Sequence, residues 1–231
     1  MTHRVTRVGS LLAAVALAVA AGCGGGGRLS EEERAELDAA FAEEVAAAIE
    51  QAVGAVEADG DEWQAVAAFY EERGYRPAWL GATGPTARGR ELAVEMLGAG
   101  THGLDVTDYA GERLALAVAE LTRPEAREDE EAYAERVARL DPALSAAFLH
   151  LAHDLATGRV APTEAEIHWE SEPRRIDLGK VLAAAAEQGP ATALAAARPP
   201  HEQYALLERA LAGYRRAVAA GGWPEVPPGE A

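Results

Sequence analysis

Residues 30–56 read SEEERAELDAAFAEEVAAAIEQAVGAV. Ser30 followed three residues later by Glu33 has the capping-box form, in which the hydroxyl caps a backbone N–H and the glutamate reaches back. The acidic triplet Glu31-Glu32-Glu33 suits the positive end of a helix dipole. Leu37, Phe41, Val45, Ile49, Val53 and Val56 then recur at spacings of three and four, one face of a long amphipathic helix. Ala fills much of the remainder, which favours helix over strand.

The same pattern continues downstream. Asp59-Gly60-Asp61 ends the first helix and caps a second, in which Trp63, Val66 and Tyr70 share a face until Arg73-Gly74. Tyr75 to Leu80 reads as extended or turn-like, because Arg76 precedes a proline. A third helix spans about Thr86 to Leu97, and a fourth starts near Thr107 and stops before Pro124. Arg127 to Arg139 carries Tyr133, Val137 and Leu140 at helical spacing. Asp141-Pro142 then looks like a cap followed by proline at the first helical position, opening a helix with Leu144, Phe148, Leu151 and Leu155. Residues 159–176 are rich in proline and charge, with Trp169 as a buried anchor. Asp177 caps an Ala-rich helix ending at Gln188-Gly189. After Pro199-Pro200, Tyr204, Leu207, Leu211 and Tyr214 place one face of a last helix on the core. No stretch reads as a strand. The expectation is an all-α globule of about seven to nine helices.

The 231-residue chain is 49% hydrophobic, ample for a core, and carries a formal charge of −17. That charge argues against a nucleic-acid partner, which needs a basic face for phosphates. At the N-terminus, His3, Arg4 and Arg7 precede the apolar run Leu11 to Ala21, the length of a signal h-region and short for a membrane span. Ala20-Ala21-Gly22-Cys23 resembles the lipobox of bacterial lipoproteins, with Ala20 where leucine is commonest. The resemblance implies a lipid on Cys23, the chain's one cysteine, and a location in the envelope facing the periplasm. Gly24 in place of Asp implies the outer membrane in a host with two. The alternative is an ordinary secretory signal with Cys23 incidental. The boundaries are a signal peptide at 1–22, a lipidated Cys and Gly-rich tether at 23–29, an N-terminal helix at 30–58, a helical domain at 59–220 and a Pro/Gly-rich tail at 221–231.

Candidate chemistry is sparse. His150, His153 and Asp154 could share a helix face and bind a divalent metal, the basis of a metal-dependent hydrolase reading. The competing reading leaves His150 exposed and pairs His153 and Asp154 locally. His102, His168 and His201 sit in loop-like contexts with no matching acid. Ser145, early in an apolar helix, bonds back to a carbonyl, and no serine lies in a nucleophile-elbow context. Trp63, Phe69, Tyr70, Trp79 and Tyr109 could line a glycan groove, but at helical spacing they read as core. The expectation is no catalytic residue, no metal and no cofactor. Trp223, between glycines and Pro224, is hard to bury locally and is a candidate interdomain contact; the alternative folds it back onto the last helix as a local cap.

Four stretches in order carry a family resemblance. They are Phe69 to Trp79 (FYEERGYRPAW); His102-Gly103-Leu104-Asp105 with Asp108-Tyr109; Leu140-Asp141 through Ser145 to His153-Asp154-Leu155 and Gly158-Arg159-Val160; and Gly221-Gly222-Trp223-Pro224 with Pro227 and Gly229. Together they resemble the N-terminal scaffold domain of large L,D-transpeptidases, cysteine acyltransferases that crosslink peptidoglycan stem peptides. The resemblance implies a peptidoglycan-binding domain and a catalytic domain with a His and a Ser-x-Gly-Cys nucleophile after the Gly-Gly-Trp-Pro stretch. Neither occurs in this chain, so no catalytic residue carries over. The expectation is a lipid-anchored, non-catalytic scaffold that orients a catalytic domain, in a chain truncated before it. One alternative is an independent envelope lipoprotein that binds peptidoglycan or a protein; the other is the metal-dependent hydrolase.

Overall fold

A computed structural model describes residues 30–56, 60–160 and 174–223. The described residues form eight α-helices and one two-stranded ribbon, so the fold is all-α. In order they are α1 (Glu31–Gly54), α2 (Asp61–Glu72), β1 (Leu80–Gly81), β2 (Gly84–Pro85), α3 (Ala87–Leu97), α4 (Gly111–Glu120), α5 (Glu130–Thr157), α6 (Leu178–Gln188), α7 (Pro190–Ala197) and α8 (Glu202–Ala219). Short 3-10 turns lie at Gly98–His102, Val106–Tyr109 and Pro124–Arg127. Among the described residues, no helix is long and apolar enough to cross a membrane.

Helix α1 starts as the sequence dictates. The Glu33 amide donates to Ser30 Oγ at 3.2 Å, and the Ser30 amide donates to the Glu33 carboxylate at 2.8 Å. Phe41, Val45, Ile49 and Val53 are buried, whereas Val56 lies past the helix end and is exposed. The Asp177 carboxylate caps α6 as expected. Helix α7, opened by Pro190, is an element the sequence reading passed over.

Three further expectations change. Leu80-Gly81 pairs antiparallel with Gly84-Pro85, a ribbon too short to show a period of two. The segment from Arg127 to Gly158, expected as two helices with Asp141 capping the second, holds one continuous α5 with Pro142 inside. Proline removes one helical N–H and crowds the preceding turn, but the core residues on both sides hold the helix together: Tyr133, Val137, Leu144, Phe148 and Leu151 are all buried. The final helix, expected to seat Tyr204, Leu207, Leu211 and Tyr214 on the core, has no buried residue, and Leu207 and Tyr214 are exposed.

The chain separates into two units. The first holds the described residues through Arg90 together with Leu116–Ala146, and its core includes Ile49, Val66, Tyr70, Trp79, Leu80, Leu121 and Val137. The second holds Glu91–Ala115 and the described residues from Ala147, with Leu92, Met96, Tyr109, Leu151, Leu182 and Leu194 buried.

Candidate functional site

In the first unit the segment Ala78-Trp79-Leu80 is non-helical, so its amides need acceptors that a helix would supply internally. Asp141 supplies them. Its Oδ1 accepts from the Ala78 N–H at 2.7 Å and the Tyr70 hydroxyl at 2.6 Å; its Oδ2 accepts from the Trp79 and Leu80 N–H at 3.0 and 2.9 Å. One turn along α5, Ser145 Oγ accepts from Trp79 Nε1 at 2.7 Å and lies 2.9 Å from the Tyr70 oxygen. With the Tyr70 hydrogen committed to Asp141, the Ser145 hydroxyl can donate to the Tyr70 oxygen or, as the sequence suggests, back to the Asp141 carbonyl at 3.4 Å. Burial pushes the Asp141 carboxyl above its usual range, and its four donors pull it back. Burial, then the Asp141 charge, pushes the Tyr70 phenol well above its usual range.

Tyr70, Trp79, Leu80, Asp141 and Ser145 are all buried, and Ala78 is part-buried. Ser145 therefore offers no nucleophile to a substrate, and Asp141 offers no base; the network fixes an irregular segment onto a helix. Sequence reasoning placed Tyr70 and Trp79 in the core correctly, and Phe69 and Tyr109 with them, while Trp63 is half-buried. It read Asp141 as an N-cap. Asp141 does cap backbone amides, but those of a segment some sixty residues earlier in the chain.

In the second unit, the expected His150–His153–Asp154 trio takes a different form. Asp154 is buried and its Oδ2 accepts from the Tyr109 hydroxyl at 2.7 Å. Arg159 pairs with Asp108 at 2.6 Å and reaches Asp154 at 3.8 Å. His150 Nε2 and His153 Nδ1 each stand 3.7 Å from an Asp154 oxygen, and both rings are partly exposed. A metal needs ligand atoms about 2.0–2.2 Å from one centre. Among the described residues, no three His, Cys, Asp or Glu side chains gather in a way that could hold one. Burial, then the Asp154 hydrogen bond and charge, pushes the Tyr109 phenol above its usual range. The cluster locks the 3-10 turn carrying Tyr109 to the end of α5.

His102 corrects the sequence reading that gave it no acidic partner. Its Nδ1 lies 2.7 Å from Glu208 Oε1 and 2.9 Å from the Tyr204 hydroxyl, and its ring stacks on Tyr204. Arg198 reaches the same Glu208 oxygen at 3.4 Å. Burial pushes the His102 imidazole below its ordinary value, and Glu208 offsets part of that. The Arg215 guanidinium also donates to the Gly100 carbonyl. Helix α8 is thus held through polar contacts. No sequence signal pointed to Glu208, because its partner lies more than a hundred residues away.

Cys23, Trp169, His168 and the tail from Pro224 lie outside the described residues. Trp223 lies within them; it is 60% exposed, with its ring 5.8 Å from that of Tyr214. The left-handed Gly221 and Gly222, at φ 107° and 80°, turn the chain back after α8.

Residues 64–211 match the family model described as a scaffold domain. That span includes both buried networks and the His102–Glu208 pair. No curated protein and no solved structure matches the chain.

Proposed function

From the premise that this chain belongs to the scaffold-domain family, we propose that it is a lipid-anchored, non-catalytic module of an L,D-transpeptidase-like system, serving peptidoglycan crosslinking by orienting a catalytic domain. One observation carries the proposal: the family match covers the first three of the four stretches that resemble L,D-transpeptidase scaffolds. Those stretches hold the residues of the buried networks, Tyr70, Trp79, Asp141 and Ser145 in one unit and Tyr109 and Asp154 in the other. A scaffold needs rigid internal ties of this kind, and in both networks the polar groups satisfy one another. Trp223 is the candidate contact with the catalytic domain, Cys23 the lipid-bearing residue, and peptidoglycan the substrate of the assembly.

Two measurements test this. Incubation of the purified chain with a stem-tetrapeptide donor gives no acyl adduct and no crosslinked product, because no thiolate other than that of Cys23 exists to attack. In cell fractions the chain sediments with membranes, and Cys23→Ser releases it. A covalent stem-peptide adduct on the chain would overturn the non-catalytic assignment. A Cys23→Ser chain that stays with membranes would overturn the anchor.

A further inference from the structure

We propose that α8 is a self-association surface that pairs antiparallel with α8 of a second copy of this chain. Of the ten exposed large hydrophobic residues among the described ones, five fall between Leu206 and Trp223: Leu206, Leu207, Tyr214, Val218 and Trp223. Among the described residues no other element gathers exposed apolar side chains in this way, and α8 buries none of its residues. At 3.6 residues per turn, Leu206, Leu207, Ala210, Tyr214, Ala217 and Val218 share one half of the helix. Every charged residue of α8, Glu202, Glu208, Arg209, Arg215 and Arg216, falls on the other half. In a chain that is 26% charged, an uncharged half-helix left in water is the signature of a contact surface.

Three observations favour a second copy as the occupant. First, the strip complements itself in size. An antiparallel pair crossing at the level of Ala212 sets Tyr214 over Ala210 of the other copy and Leu207 over Ala217, with Leu206 beside Val218. Large residues thus meet small ones across the two-fold axis, as an isologous contact requires. Second, the chain carries a formal charge of −17, so two copies repel through most approaches. Helix α8 carries three arginines against two glutamates, and its strip carries no charge, so contact here adds no like-charge cost. Third, the exposed half of α8 would bury roughly 500–600 Å² per copy, at the low end of specific complexes. That area fits a weak, reversible pair. The Trp223 ring, 5.8 Å from that of Tyr214, borders the strip and is itself 60% exposed.

Sedimentation velocity of the purified Cys23→Ser chain, from about 1 µM to 1 mM, reads the association directly. The expected result is a monomer–dimer equilibrium that Leu207→Glu with Tyr214→Glu weakens at least tenfold. Both positions are exposed, so unchanged helical circular dichroism confirms that the double variant folds. As a second measurement, Ala210→Cys mixed with Tyr214→Cys, each in the Cys23→Ser background, forms a disulfide-linked heterodimer faster than Ala210→Cys mixed with Glu120→Cys. A chain that stays monomeric to 1 mM overturns the proposal, as does a dimer indifferent to the double substitution. Binding of phosphatidylglycerol vesicles through the strip without self-association would also overturn it.

Discussion

Replacing Asp141 by alanine should destabilise the first unit by about 3–5 kcal/mol. The Trp79 and Leu80 amides, both buried, lose their acceptor, and so does the part-buried Ala78 amide. Each orphaned buried donor costs about 1–3 kcal/mol. The Tyr70 hydroxyl escapes that cost by turning to Ser145, 2.9 Å away. Two effects act in the opposite direction: the buried carboxylate no longer pays for its desolvation, and alanine improves helix propensity by about 0.5 kcal/mol. Asp141→Asn is the informative comparison. Its amide NH2 placed at the Oδ1 position donates to the Tyr70 oxygen, while its carbonyl keeps the Trp79 and Leu80 amides. Only the Ala78 amide is then orphaned, and the cost falls to about 1–2 kcal/mol. Urea unfolding followed by circular dichroism measures both variants, and hydrogen exchange at residues 78–80 reads the amides themselves. The assignment fails if Asp141→Ala lies within about 1 kcal/mol of the parent, or if Asn costs as much as Ala.

The remaining predictions are briefer. Gly89→Ala, a change that stabilises an ordinary helix interior by roughly 1 kcal/mol, should instead destabilise this one, because a Cβ there would overlap the Trp79 carbonyl oxygen; a raised urea midpoint would contradict this. The His102 imidazole is held below its ordinary value by burial, so the unfolded chain protonates first. The contribution from burying the neutral imidazole is therefore full above about pH 6.5 and is lost as the pH falls through the depressed value. Urea melts at pH 8 and pH 5 should show that loss in the parent and a smaller one in His102→Asn; equal losses would refute it. The emission difference between the parent and Trp223→Phe should be red-shifted and open to acrylamide, since the Trp223 ring is more than half exposed. A blue-shifted, protected difference would mean that Trp223 is already covered in the isolated chain.

Local chemistry was legible from the sequence wherever cause and effect lie within a turn or two of each other. The Ser30–Glu33 box, the Asp177 cap and the spacing of Phe41, Val45, Ile49 and Val53 each specify their helix through neighbours three or four residues away, and the structure holds each as read. The all-α class follows from such local signals. Tertiary structure decided what Asp141 and Glu208 do. As a residue before proline, Asp141 has the local form of an N-cap; only the fold brings Ala78, Trp79 and Leu80 to it and makes a continuous helix through Pro142 the better solution. Glu208 looks like one more solvated acid until His102 and Arg198 arrive beside it. The apolar face of α8 was equally visible in the sequence, but periodicity specifies which residues share a face and not what that face meets. Burial depends on which elements the whole chain packs together, and here it leaves Leu207 and Tyr214 in solvent.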